Sequence, residues 1–492
     1  MDRLPQDLLD RIMGLVAGDG HETPNMGHKK AVSRYATVSS RFQQAVERIT
    51  FRTLNLDVLG LESAPDILRR CSRWLHVRSI TFGATLPPYS FGISYLETPE
   101  EMERNSEAFT GDIQEFFQLL SEWPAQDLPA DYQPAPIKLL ILTYSTTDKI
   151  ISDYGTLLDR YGSFAVANIQ PVQIWRYHRS SLTFNDSIAL PSLQHVPISG
   201  IEFRPLYCYP RKIDASSLSR ITSAMNPEML KSIWWPFGDV EKRDLSLRRA
   251  RRQDLANAIN SLSGLDDFEL ECEYRPPLNH DYEPPVLYHP ETEVDPVSGA
   301  LRSLCQRTEV VDLRGVLGST ELFWPKAGST EPHFESIKWL SILYHPCTPN
   351  GQWLFERDDH APNSITYQDL VPQPDEIRGD EDNSIKEYRF APMKDWMDEF
   401  YGAAGRAVAH MPNLHYMLLQ PISFLDRVRR RLATEHLFIF VVHENRKAEA
   451  FWHSSPEYTP SDEVMKIWQN AAHELALDLE IIVQSIPSYL RQ

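Results

Sequence analysis

From residue 60 onward, short β-like runs alternate with helical patterns, and few architectures accommodate such an alternation. The runs fall at residues 77–81, 139–143, 198–203, 231–235, 267–271, 310–313, 337–342 and 414–419. Between them, Ile113, Phe116, Phe117, Leu120 and Trp123 share one helical face that ends at Pro124. Met393, Trp396, Met397, Phe400, Ala404 and Val408 share another that ends near Pro412. An α/β fold is therefore expected. The middle runs recur roughly every 30–40 residues, the range in which repeat architectures live. Such units bury a core only by stacking on their neighbours, which leaves a strand face open to a partner. The same alternation also fits a compact α/β domain.

The chain has 492 residues, more than one minimal core needs. Its 36 prolines predict frequent connections between elements. Two stretches read as loops: 275–299, rich in proline, and 363–387, which carries Pro372, Pro374 and the acidic run Asp380-Glu381-Asp382. Near the end, Pro460-Ser461-Asp462-Glu463 offers an N-cap and an acidic first turn to a helix over 464–479.

The first fifty residues follow a different pattern. Pro5 suits a first helical position, where its missing N–H would have no partner anyway. Leu8, Leu9, Ile12, Leu15 and Val16 then form one apolar stripe, stopped by Gly18 and Gly20. A polar loop follows, and a second helical pattern places Tyr35, Val38, Phe42, Ala45, Val46 and Ile49 on one face. Residues 51–56 alternate with period two and read as a short strand. So few helices bury little surface, and the stripe needs a partner, within this chain or outside it. Charge separates the segment too. Residues 1–60 hold eight Lys/Arg against seven Asp/Glu, so the remainder carries −20 of a chain whose net charge is −19.

These residues resemble the F-box. Leu4-Pro5-Gln6-Asp7-Leu8-Leu9-Asp10-Arg11-Ile12 matches its opening phrase, Val38-Ser39 with Ala45-Val46 matches its second, and Phe51 closes it. Phe42 stands where the family usually has Trp, and the linker from Ala17 to Ser33 is longer than the common form. The resemblance implies binding to a Skp-family linker protein, and through it to a cullin, in a ubiquitin ligase of the cullin–RING type. It assigns the linker contact to Leu4, Pro5, Leu8, Leu9, Ile12, Val38, Phe42 and Val46. The implied division is an F-box over 1–56 and a partner-binding region over 57–492. That region resembles irregular leucine-rich repeats, with phrases such as Pro191-Ser192-Leu193 and Met411-Pro412-Asn413-Leu414 ahead of its strands. The layout is similar to that of a large group of filamentous-fungal F-box proteins.

Catalytic signatures are not found. His473-Glu474 lacks the second histidine of a zinc-protease helix, and no phosphate loop or nucleophile elbow occurs. His345-Pro346-Cys347 sets a thiol beside an imidazole in sequence only, and a buried cysteine is the simpler reading. Five scattered cysteines give neither a zinc pattern nor a disulfide framework, so no metal or cofactor is expected. The acidic charge disfavours nucleic acid and anionic membrane, and neither a signal peptide nor a spanning run is read. A cytoplasmic or nuclear setting follows. Basic clusters at Lys242, Arg243, Arg248, Arg249, Arg251 and Arg252, and at Arg427 and 429–431, read as import or nucleic-acid patches or as solvated helix faces paired with nearby acids such as Asp244 and Asp254. Trp234-Trp235 and Trp353 are candidate interaction hot spots. The expected function is a non-enzymatic adaptor that holds a protein substrate; the alternative is a scaffold protein whose N-terminal helices form an internal cap.

Overall fold

A computed structural model describes residues 4–17, 32–89, 97–123, 135–147, 180–185, 187–205, 211–238, 244–272, 279–288, 294–325, 331–358, 388–422, 425–426, 431–432 and 435–485. The loop expected at 363–387, most of the N-terminal linker, and Lys242, Arg243, Arg427, Arg429 and Arg430 lie outside these residues. The helices are α1 (Gln6–Ala17), α2 (Ser40–Thr50), α3 (Val58–Leu61), α4 (Ala64–Arg69), α5 (Pro99–Ser121), α6 (Ala215–Ser223), α7 (Leu245–Ser261), α8 (Pro296–Cys305), α9 (Lys394–Val408) and α10 (Asp462–Glu474). The first strands are β1 (Thr53–Asp57), β2 (Ser79–Leu86), β3 (Ile137–Ser145), β4 (Ser181–Leu182), β5 (Ile198–Pro205), β6 (Lys212–Ile213), β7 (Ser232–Phe237), β8 (Asp267–Cys272), β9 (Val310–Leu317) and β10 (Trp339–His345). There follow β11 (Phe355–Arg357), β12 (Arg389–Pro392), β13 (Tyr416–Pro421), β14 (Leu425–Asp426), β15 (Arg431–Leu432), β16 (Glu435–Val442), β17 (Lys447–Ser455) and β18 (Asp478–Ser485).

The fold is α/β, built on one twelve-stranded sheet of order β1-β2-β3-β5-β7-β8-β9-β10-β13-β16-β17-β18. From β1 to β13 every neighbouring pair is parallel, and each new strand joins the same edge. Parallel neighbours need a crossover, and crossovers are right-handed in nearly all cases. Adding strands always in one direction therefore sends the crossovers over one face. Side chains on that face are buried in a continuous core: Phe82, Ile141, Ile201, Trp235, Phe268, Leu313, Ile342 and Met417. Phe116 of α5 stacks on Phe82 at 4.3 Å, and Phe400 of α9 meets Tyr344 edge-on at 5.2 Å.

All eight expected runs are strands of this sheet, in the expected order. Strand–helix stacking is therefore present, but its period is not regular: the parallel strands begin at 53, 79, 137, 198, 232, 267, 310, 339 and 416. The strand expected at 51–56 is β1, so the N-terminal segment ends inside the sheet. Two expectations fail at their boundaries. The helix expected over 464–479 stops at Glu474, because Ala476 takes a left-handed conformation (φ 53°) and Asp478 begins β18. The loop expected over 275–299 ends at Asp295, which caps α8 by accepting from Ser298 N at 2.9 Å, with Pro296 at the first helical position.

The sequence reading missed the last part of the sheet. β16 reverses direction against β13, β17 reverses against β16, and β18 returns parallel to β17. A bulge marks the middle of the sheet, where Gly315 of β9 is the extra residue opposite Leu343 and Tyr344. Its φ of 73° suits glycine, and a Cβ there would run into the Cys272 carbonyl oxygen. Among the described residues no helix is long and apolar enough to cross a membrane.

Candidate interaction surfaces

The N-terminal helices form a small core of their own. Leu9, Met13 and Ala17 of α1 pack with Val32 and with Phe42, Ala45, Val46 and Ile49 of α2, apart from the core of the sheet. Ser39 caps α2 by accepting from Phe42 N, and Gln6 Nε2 of α1 donates to the Arg41 carbonyl at 3.1 Å. Arg48 pairs with Asp10 between the two helices. The module meets the sheet's first edge through Arg73, which holds Glu47 at 2.7 Å and lies over the Phe51 ring. Burial pushes the Glu47 carboxyl up, but hydrogen bonds from Arg73 and Gln43 prevail and hold it below the ordinary range.

The eight residues assigned to linker contact divide into two sets. Pro5, Leu8, Ile12 and Val38 are exposed, and Leu4 is half-buried. Leu9 (1% exposed), Phe42 and Val46 lie inside the module's core, so they shape the surface rather than form it. The helical period explains the division: Leu9 and Met13 turn towards α2, while Leu8, Ile12, Leu15 and Val16 turn outwards. Leu15 is 77% exposed and Val38 57%. Leu15 with Leu8, Ile12 and Val16 makes an apolar stripe along α1 that lies outside the sheet's core, and Val38 is exposed just ahead of α2.

The second surface is the sheet face opposite the crossovers. Along one register row, Ser232, Asp267, Val310, Trp339 and Tyr416 follow strand by strand; along the next come Glu202, Trp234, Glu269, Asp312, Ser341 and Leu418. Its middle is acidic. Glu202, Asp267, Glu269, Glu271 and Asp312 face Lys138, Arg204 and Arg314. Arg314 reaches Asp312 at 2.9 Å and Glu269 at 3.4 Å, and Arg204 holds Glu202 at 2.7 Å beneath the face of Trp234. Partial burial pushes the Asp267 and Glu269 carboxyls up, and the Asp312 charge adds to this against the opposing pull of Lys138 and Arg314. Beyond the acids, Trp339, 44% exposed, stacks on Tyr416 with ring centroids 4.0 Å apart. Neither ring was singled out from sequence, because alternation tells the two faces of a strand apart without telling which one the helices cover.

Other sequence candidates resolve into packing. Trp235 and Trp353 are buried, their indole N–H groups donating to the Ile213 and Tyr282 carbonyls, and of the three tryptophans considered only Trp234 faces the open sheet. Arg252 grips Asp295 through both carboxylate oxygens, at 2.7 and 2.8 Å, with both side chains almost wholly buried. Arg248 is likewise buried, and Arg249 donates to the Val286 carbonyl. The His345–Cys347 link runs from the Cys347 backbone N–H to His345 Nδ1 at 3.1 Å. Among the described residues no three His, Cys, Asp or Glu side chains are arranged to hold a metal.

Two buried histidines act as internal acceptors. His280 Nδ1 accepts from the backbone of Tyr388 and Arg389, at 2.8 and 2.7 Å, and burial with the Arg389 charge pulls its pKa down to about 3. His436 on β16 lies between Tyr401 Oη, 2.8 Å from Nε2, and Ser454 Oγ, 3.0 Å from Nδ1. Burial pulls it to about 3 as well, so both rings are neutral at pH 7.

Residues 390–491 match a family of unknown function (DUF6546). The match runs from β12 to the end of β18 and includes the Tyr401–His436–Ser454 chain and its aromatic surroundings. No curated protein matches the chain.

Proposed function

We propose that this chain is a non-enzymatic adaptor. Its N-terminal helices bind a Skp-family linker of a cullin–RING ubiquitin ligase, and its sheet presents a protein substrate. Catalysis in this reading is proximity alone, the adaptor raising the effective concentration of a substrate lysine near the ligase. One observation carries the reading: an F-box-like segment with its own core turns Leu8, Ile12, Leu15 and Val16 outwards as an apolar stripe and leaves Val38 exposed. The setting it requires is the cytoplasm or the nucleus.

The test is a pull-down of the full chain with a recombinant Skp-family linker. Each apolar side chain desolvated in such a contact contributes about 1.5–3 kcal/mol, so Leu8→Asp/Ile12→Asp is expected to weaken binding by about 100-fold or more. Both positions are exposed, so the thermal midpoint of the variant stays near that of wild type. Equal capture of wild type and variant overturns the adaptor reading and leaves the module as a cap on the sheet edge.

A further inference from the structure

The sheet face opposite the crossovers combines three properties that narrow its partner. It is rich in carboxylates, its ring pair joins an exposed Trp339 to a half-buried Tyr416, and its charges are incompletely balanced. Arg314 serves both Asp312 and Glu269, and the second oxygen of Asp312, Oδ1, has no hydrogen-bond donor among the described residues. Among the described residues Asp267 forms no ion pair, and Lys138 is the cation that draws its carboxyl down against burial. Trp339 is one strand across from Val310, which lies beside Asp267 in the same register row. Neighbouring strands are about 4.8 Å apart, so Asp312 lies on the strand next to Trp339 and Asp267 two strands, about 10 Å, from it, a span that one extended segment covers with successive side chains.

We propose that this face docks a lysine- or arginine-bearing segment of a partner protein, with its cationic heads against Asp267, Glu269 and Asp312 and an aliphatic stem across Trp339 and Tyr416. Charge complementarity selects the cation, because excess negative charge on a partly desolvated surface is stabilised by an incoming positive group. The ring pair selects a long side chain rather than a free ion: methylene groups lie on aromatic faces, and a guanidinium or ammonium is attracted by the ring quadrupole. An extended segment suits a sheet surface, where alternate side chains point towards the rows and the others towards solvent. The proposal takes from the adaptor reading only that the sheet, not the N-terminal module, holds the substrate.

The test uses the full chain and two fluorescein-labelled decapeptides, one alternating Lys with Thr and one alternating Glu with Thr, followed by anisotropy at 0.15 M salt. The lysine peptide is expected to bind and the glutamate peptide not. Glu269→Gln/Asp312→Asn and, separately, Trp339→Ala are each expected to weaken the lysine peptide at least 10-fold. Glu103→Gln/Glu107→Gln removes the same charge from exposed positions on α5 and is expected to change binding less than twofold. Equal weakening by both charge pairs means that the peptide follows net charge only, and the proposal fails. It fails too if the lysine peptide does not bind, or if sedimentation shows a dimer that Trp339→Ala converts to monomer, since a second copy then covers the face. Leu8→Asp/Ile12→Asp is expected to keep peptide binding while losing the linker, so the two readings stand or fall separately.

Discussion

Acidification from pH 7 to 5 is expected to weaken the C-terminal end of the sheet through His436. The ring is almost fully buried, and its hydrogen bonds form a one-way chain. Ser454 Oγ donates to the Pro456 carbonyl, so it accepts from His436 Nδ1–H, and His436 Nε2 accepts from the Tyr401 hydroxyl. A second ring proton would bury a charge among Phe355, Tyr401 and Tyr458, and this burial, with the charge of His453, is why the pKa falls from 6.5 to about 3. The folded pKa is depressed, so the contribution is complete above pH 6.5 and is lost as pH falls towards 3, where the unfolded chain binds a proton that the folded chain refuses. Linkage puts the loss between pH 7 and 5 at about 2 kcal/mol. The measurement is urea unfolding of wild type and His436→Gln at pH 7, 6 and 5, followed by tryptophan fluorescence. His436→Gln is less stable at pH 7 through lost packing, and the gap is expected to narrow by about 2 kcal/mol at pH 5. Other titrating groups, His280 included, cancel in the difference. A gap constant to within about 0.5 kcal/mol refutes the assignment of a neutral, trapped imidazole.

Three further outcomes follow from the packing. Arg252→Met leaves the Asp295 carboxylate buried without its bidentate partner and is expected to cost about 3–5 kcal/mol in urea unfolding, while Arg252→Met/Asp295→Asn recovers part of this by removing the charge and keeping the α8 cap. Gly315→Ala is expected to destabilise by more than about 2 kcal/mol, because it adds a Cβ against the Cys272 carbonyl at a positive φ; an unchanged midpoint would sink the bulge geometry. Leu9→Asp is expected to abolish linker binding together with the protease resistance of α1 and α2, whereas Leu8→Asp loses binding alone, because Leu9 lies inside the module's core and Leu8 on its surface.

Much of the scaffold was legible from local pattern. Short apolar β-like runs such as Leu139-Leu140-Ile141 and Val310-Val311 marked strands, as the period-two run at 51–56 did, and the stripes through Phe116 and Phe400 marked helices, because side-chain direction is set by the backbone repeat alone. The outward apolar stripe of α1 was legible for the same reason, though periodicity did not separate Leu8 from Leu9. The antiparallel turn of β16 and β17 was not, since strand direction depends on which edge is open when the strand arrives.

By itself the sequence determined where the parallel strands from β1 to β13 and the helices through Phe116 and Phe400 lie, and that a charge-balanced helical segment precedes an acidic body. Tertiary structure decided what each apolar face meets. It placed Leu9, Phe42 and Val46 inside the module, sent Arg252 to Asp295 forty-three residues away, and brought Glu202, Asp267, Asp312, Trp339 and Tyr416 into neighbouring rows of one face. The physical reason is that a residue's direction is a local property of the backbone, whereas its burial and its partners depend on strand order and on the common hand of the crossovers.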